Sequence, residues 1–258
     1  MLNNINIQDI VTIAKEAGNA IMQVYNQEFD VEYKQDDSPL TLADKKANNV
    51  IESGLNKLSV NLPILSEEGK EIPYKERKYW KYFWLVDPLD GTKEFVKKNG
   101  EFTVNIALIY KDMPVLGVVY APALDVCYWA KKNEGAFKDG QKLPFRLKGQ
   151  RHICKIVASR SHMSSETKLF IDAIKTNKEK KLISIGSSLK ICLVAEGEID
   201  IYPRLAPTME WDTGAAHAII NETGFFFKKF ENNKYLNFKY NKESLRNQWF
   251  VVKKTEVI

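Results

Sequence analysis

Two apolar runs in this chain end in paired acids. PILSEEG (63–69) closes with Glu67 and Glu68, and YFWLVDPLDG (82–91) closes with Asp87 and Asp90. A carboxylate at the end of a buried strand is costly to desolvate unless something compensates its charge. Pro88 turns the chain and removes a donor, and Gly91 lets the backbone approach a ligand, so Asp87 and Asp90 can aim at one point. Converging carboxylates plus a backbone carbonyl make an oxygen-rich nest for a hard cation, Mg²⁺ being the commonest. Gly91, Thr92 and Lys93 can open a helix whose free N–H groups face an anion such as phosphate. Acids, a divalent cation and an anion hole side by side are what phosphate-ester hydrolysis requires. Plainer readings stand beside this one. Asp-Pro-x-Asp-Gly is ordinary turn chemistry, and Ser-Glu-Glu-Gly can be a solvated loop. Asp44, three residues after Thr41, has the spacing of a helix cap, and Asp212 stands where an acid favours a helix start.

These acids need rigid elements to hold them. Ile10, Ile13, Ala14, Ala17, Ile21 and Val24 share one helical face, and a second helix begins at Thr41 with Ala47, Val50, Ile51, Leu55 and Leu58 inward. The run at 82–91 predicts a strand stopped by Pro88 and Gly91. FTVNIALIY (102–110), PVLGVVYA (114–121) and DVCYWA (125–130) follow as β-rich runs, with KDGQ (138–141) as a hairpin turn. After residue 150, strands at HICKIVASR, KLISIG and IDIYPRL alternate with helices at 164–175, 187–197 and 211–224. That pattern predicts an α+β first half and an α/β second half. The Lys-rich tail after Gly224 is expected to close a sheet edge. The aromatic KYWKYFW (78–84) reads as strand packing, and His152 and His217 as structural residues.

The order of the motifs carries a resemblance. T-x-A-D (41–44), L-S-E-E (65–68), D-P-L-D-G-T-K-E-F (87–95), G-E-F-T-V-N-I-A-L-I (100–109), G-S-S-L-K (186–190) and W-D-T-G-A-A-H-A (211–218) together resemble the inositol monophosphatase superfamily. K-E-F, G-E-F-T-V-N and G-S-S-L-K are similar to its 3′(2′),5′-bisphosphate nucleotidase branch. The resemblance spans about residues 10–224. It implies a layered αβαβα sandwich and one catalytic unit over 1–258, with subdomains of about 1–150 and 151–258 around a shared site. By resemblance, Glu67, Asp87 and the Leu89 carbonyl would hold one Mg²⁺, and Asp87, Asp90 and Asp212 a second. Glu68 would be a neighbour to a weaker third ion. Thr92 would bond the attacking water while Asp44 orients Thr92, and the N–H groups of Gly91 and Thr92 would face the phosphoryl oxygens. Ser187, Lys190, Arg204 and His162 would lie beside the nucleoside, Lys190 and Arg204 being chemically suited to a second phosphate. The plainer alternatives are a solvent-facing helix lysine for Lys190 and an ordinary loop residue for His162. In W-D-T-G, Gly214 falls where a helix former is more usual, at a cost of about 1 kcal/mol inside a helix.

The implied activity is Mg²⁺-dependent removal of the 3′-phosphate of adenosine 3′,5′-bisphosphate, or of its sulfated 5′-phosphosulfate analogue, by metal-activated water. A place in sulfur assimilation and inhibition by Li⁺ and excess Ca²⁺ are family expectations. The rivals are an inositol or sugar monophosphate phosphatase and a non-catalytic nucleotide-binding module. Composition narrows the field from the other side. With 258 residues, 44% hydrophobic and 28% charged, the chain is long enough for a large core and unlike a disordered one. A net charge of +5 is too small to point to nucleic-acid polymers, and peripheral attachment to the inner face of the cell membrane through the Lys-rich surface, known for some relatives, stands as an alternative that +5 does not by itself predict. The longest nearly apolar run, Val115 to Leu124, is too short to span a bilayer. Cys127, Cys154 and Cys192 are odd in number and form no CxxC, which points to a reducing cytoplasm. By resemblance, a small phosphorylated nucleotide is the expected partner, and a monomer or homodimer is the expected state.

Overall fold

The computed structural model describes residues 1–27, 31–33, 39–145, 152–159 and 164–255. The apolar stripe near the N-terminus forms α1 (Ile7–Tyr25), capped by the Asn6 side chain accepting the Gln8 N–H at 3.2 Å. A short ribbon follows, β1 (Val31–Tyr33) antiparallel to β2 (Pro39–Thr41), leading into α2 (Leu42–Asn56). Then come β3 (Ile64–Ser66), α3 (Tyr74–Arg77), β4 (Tyr82–Asp90) and the single turn α4 (Thr92–Val96). β5 (Thr103–Tyr110), β6 (Met113–Ala121), β7 (Val126–Lys131), β8 (Gly135–Lys138) and β9 (Gln141–Lys142) complete a seven-stranded sheet in sequential order from β3. All its pairs are antiparallel except β3 with β4.

The rest alternates as its sequence rhythm predicts. β10 (Ile153–Ser159), α5 (Ser165–Ala173), β11 (Glu179–Ile185), α6 (Leu189–Glu196), β12 (Ile201–Arg204) and α7 (Gly214–Thr223) lead to β13 (Phe226–Glu231), β14 (Lys234–Leu236) and β15 (Phe250–Lys253). These strands form a six-stranded sheet in the order β11-β10-β12-β15-β13-β14. The tail therefore departs from expectation. β14 does lie at an edge, but β15 is inserted between β12 and β13, where Phe250, Val251 and Val252 are all buried. Without a charge before Lys253, the FVV run suits an interior position that is covered on both faces.

Side-chain alternation along β4 fixes the layers. Trp84 and Val86 face α1 and α2, whereas Phe83 and Leu85 face the opposite core with residues of α6 and α7. Beyond that second helical layer lies the six-stranded sheet, whose outer face packs on α5 through Cys154, Ile156, Phe170 and Val251. The result is helix, sheet, helix, sheet, helix. Among the described residues no helix is long and apolar enough to cross a membrane.

Two departures in the chain's course bear on the site. β4 does not stop at Pro88. Asp87 pairs with Asn105 and Asp90 with Thr103, so one extra residue bulges from β4 between them. Pro88 has no N–H to offer a ladder and is tolerated at such a bulge. Gly214, in turn, begins α7 instead of interrupting it, so the interior cost does not apply. A Cβ there would come within 2.9 Å of Leu85, so the small residue serves close packing.

Another glycine in this region is packed more closely still. A Cβ on Gly117, in β6, would stand 2.2 Å from the Ala215 carbonyl oxygen, which puts α7 directly on the strand backbone. Gly117→Ala should therefore destabilise the protein by about 2 kcal/mol or more in urea unfolding, although Ala ordinarily favours a strand interior over Gly. A neutral or stabilising outcome would contradict this packing. His217, on α7, is stacked on Phe227 at 3.9 Å, and its Nδ1 lies 3.0 Å from the Tyr240 hydroxyl. Burial, and then Lys228, bring its pKa down to about 3. As pH falls below 6.5 the unfolded chain takes a proton that folded His217 refuses until about pH 3, so stability drops across that window. Comparison of the parent with His217→Phe between pH 7 and 4.5 should show the parent losing about 2 kcal/mol more.

Candidate active site

The site is assembled at the bulged end of β4. Asp87 is 1% exposed, and its Oδ1 accepts the Leu89 N–H at 3.1 Å across the bulge. Parallel pairing with β3 brings the second acidic motif alongside, with the Glu67 N–H donating to the Val86 carbonyl at 3.1 Å. α2 supports that loop from behind. Asp44, Asn48 and Glu52, spaced by four, share one helical face, and Asp44 and Asn48 are buried. Asn48 accepts the Ser66 hydroxyl at 2.6 Å and donates to Glu52 at 3.1 Å, which holds the residue just before Glu67. Glu68 follows, half-buried, in the turn closed by the Gly69 N–H on the Ser66 carbonyl.

Asp212 arrives from the other sheet's side, in the leader of α7. Its Oδ2 accepts the Met209 N–H at 2.9 Å, so it caps this leader and not the helix itself, whose N-cap is Thr213. Glu210 anchors the same leader. It is fully buried, and its carboxylate accepts the N–H groups of Asn241 and Lys242 at 2.6 and 3.1 Å and the Lys242 ammonium. Arg77 ties that loop down through Asn241 Oδ1 and the Lys242 and Glu243 carbonyls.

Carboxylate oxygens of Glu67, Asp87 and Asp212 all lie within 4.8 Å of one another. Burial, and then Glu67, Asp90, Asp212 and Asp44, hold the Asp87 carboxyl well above the usual carboxylate range. Burial, and then Asp90 and Glu67, do the same for Asp212, against the opposing pull of the Met209 N–H and Arg204. An oxygen cluster of this kind, with Asp87 buried, Asp212 partly buried and Glu67 at its exposed mouth, fits a hard divalent cation. Asp90 is close by and oriented differently: its Oδ2 takes the Ser188 N–H and hydroxyl at 2.6 and 2.7 Å. Gly91 then adopts φ +96, a left-handed conformation, and starts α4; the Thr92 hydroxyl donates to the Leu89 carbonyl at a long 3.3 Å.

The cationic side faces this acid loop. A Cβ on Gly91 would lie 3.4 Å from the Ser187 Cβ, so the two loops touch there. Ser187 is itself left-handed, at φ +48, and 9% exposed. Lys190 is 8% exposed, which sets aside the solvent-facing reading. Its ammonium donates to the Ser187 carbonyl at 2.6 Å and lies 5.9 Å from the Tyr202 ring centroid. Burial lowers its pKa to about 8, although Asp90, Glu94 and Asp212 pull it up. Half-buried Arg204 is the last residue of β12 and donates to the Pro207 carbonyl at 2.8 Å. His162 lies outside the described residues. Sequence reasoning passed over Asn48, Asn105, Ser188 and Glu210. Asn105 carried a signal, being an amide in an otherwise apolar strand run, whereas Glu210 had none beyond its place before Trp211.

Comparison with known proteins gives the family. The profile of the inositol monophosphatase family matches residues 5–255. The 3′(2′),5′-bisphosphate nucleotidase CysQ of Salmonella typhimurium is 48% identical over 222 residues, 84% of this chain and 88% of that protein. Its Escherichia coli K12 counterpart is 46% identical over the same length and coverage. Among solved structures, CysQ from Bacteroides thetaiotaomicron superposes with a TM-score of 0.86 at 42% identity, covering 97% of both chains. The chain belongs to the inositol monophosphatase family.

Proposed function

We infer that the chain is a 3′(2′),5′-bisphosphate nucleotidase, a phosphatase that takes the 3′-phosphate from adenosine 3′,5′-bisphosphate or its 5′-phosphosulfate analogue. The carrying observation is the contact of two opposite environments. The Glu67, Asp87 and Asp212 cluster adjoins the start of α6, which bears the buried cation Lys190, in a chain 48% identical to a protein of that activity. Such a pairing suits a substrate with two phosphates, one reacting among the acids and one held by Lys190 and Arg204.

Glu67, Asp87 and the Leu89 carbonyl would hold one Mg²⁺, and Asp87, Asp90 and Asp212 a second, with Glu68 a neighbour to any third. Bound, these ions supply Lewis-acid activation of water and neutralise charge on the phosphoryl oxygens. The chain's own groups do the remainder. The Thr92 hydroxyl turns from the long Leu89 bond towards the attacking water, and Asp44, at the start of α2, orients Thr92. The N–H groups of Gly91 and Thr92 face the phosphoryl oxygens as charge grows on them. Ser187 and His162 complete the nucleoside side. Water attacks phosphorus directly and in line: its oxygen bonds to phosphorus, the bond from phosphorus to the ribose 3′ oxygen breaks, that oxygen takes up the proton that the water gives up, and the nucleotide and inorganic phosphate are released without a covalent enzyme intermediate.

A panel assay with and without Mg²⁺ tests the substrate: kcat/KM for the bisphosphate nucleotide should exceed that for inositol 1-phosphate by about a hundredfold or more. A preference for inositol 1-phosphate would make the chain a sugar phosphatase of the same family, and no turnover of any phosphate ester would leave a binding module. The acid cluster gives a second test. Asp87→Asn should cut kcat by about a thousandfold or more. In EDTA the same variant should melt roughly 2–4 °C above the parent, because it removes one of the clustered charges. Added Mg²⁺ should raise the parent's melting temperature and barely move the variant's. Equal Mg²⁺ responses in both proteins would remove Asp87 from the cation site.

A further inference from the structure

Ser188 lies where three elements meet, and the roles given above do not account for it. It is 3% exposed, at the entrance to α6. Its main-chain N–H donates to Asp90 Oδ2 at 2.6 Å. Its Oγ stands 2.7 Å from that same oxygen and 2.7 Å from the main-chain carbonyl of Asp212. The Asn105 side-chain amide donates to Ser188 Oγ at 3.0 Å and reaches Asp90 Oδ2 at 3.4 Å. Asn105 is itself 1% exposed, in the middle of apolar β5 and directly opposite Asp87 in the ladder.

Buried hydroxyl and amide groups weaken a core unless their hydrogen bonds are made, so two of them on one carboxylate oxygen imply a demand for orientation. Ser188 Oγ has one proton and two acceptors at equal distance, and each acceptor belongs to a segment that carries a cluster acid. Asn105 fills the lone-pair side of the same oxygen. The Ser188 N–H and the Asn105 amide on Oδ2, with the Ser188 hydroxyl proton shared between that oxygen and the Asp212 carbonyl, hold the Asp90 carboxylate against rotation, so that Oδ1 is the oxygen left for a cation. The same hydroxyl pins the leader of α7 from which the Asp212 side chain projects. One buried serine thus joins the end of β4 in the first sheet to the acid delivered beside the second.

We propose that Ser188, held by Asn105, is a positioning residue that sets Asp90 Oδ1 and the Asp212 carboxylate towards a common divalent cation. This rests on reading the acids as a cation site. The test is direct Mn²⁺ titration of metal-stripped full-length protein without substrate, followed by electron paramagnetic resonance and calorimetry, on the parent, Ser188→Ala, Asn105→Ala, the double variant and Asp87→Asn. Ser188→Ala should weaken Mn²⁺ binding by about ten- to a hundredfold. Its melting temperature in EDTA should stay within about 4 °C of the parent's, a shift that a merely structural role would exceed. The double variant should bind about as weakly as Ser188→Ala alone, because the two side chains act as one unit. Mn²⁺ affinity of Ser188→Ala within about twofold of the parent's overturns the inference while leaving the cation site standing. Additive losses in the double variant overturn the part given to Asn105. Should the parent and Asp87→Asn bind Mn²⁺ equally, the cation reading and this inference fall together.

Discussion

Mutual repulsion among carboxylates gathered at the buried end of one strand is the constraint around which this molecule is arranged. Asp87 is almost wholly withdrawn from water, and carboxylate oxygens from two other segments lie within 4.8 Å of its own. Desolvation and like charge act in the same direction there, so the cluster opposes folding on its own. Each supporting device in the neighbourhood can be understood as resisting that push. The bulge at Pro88 turns the strand without breaking it, Asn48 fixes the loop before Glu67, and the Glu210–Lys242–Arg77 network fastens the leader that brings Asp212. A divalent cation offsets the repulsion more fully than any of them.

The positive residues are divided between two tasks. Most of the 38 Lys and Arg lend solubility and a mild attraction for anions. Lys190 differs because it is buried a short loop away from the acids and bonded to the carbonyl of Ser187. Its depressed pKa expresses the cost of that position, and a phosphate placed against it would relieve the cost. Acid loop and cationic turn meet at Gly91 and Ser187, both in left-handed backbone, where side-chain bulk would push the two apart.

Much of this was legible one residue at a time. The stripe on α1, the strand runs of the first sheet, the Asp139–Gly140 hairpin turn and the glycines after α6 and α7 are local features set by period and backbone preference. The placement of acids at the ends of apolar runs was equally visible, because burying charge there needs a reason. What stayed hidden depends on through-space neighbours. Nothing local in Ile64–Ser66 says that it pairs parallel to β4, nothing in FVVK says interior and not edge, and a lysine on a short helix looks exposed until Tyr202 and the Ser187 carbonyl are found around it. Asn105 and Ser188 sat inside recognisable motifs, yet their roles exist only once β4, β5 and α6 are in contact.

The position of β15 also orders events during synthesis. The seven-stranded sheet is complete in sequence by Lys142, and its strands follow one another in space, so it can pair up as the chain emerges. The six-stranded sheet has a gap between β12 and β13 until residues 250–253 exist to bridge them. Until then Tyr202 and Phe227 lack their partner Phe250, and an open pair of strand edges is exposed to other nascent chains. The half of the molecule that bears most of the acids can thus be shaped early, while the sheet that carries Arg204 is closed only when β15 is available.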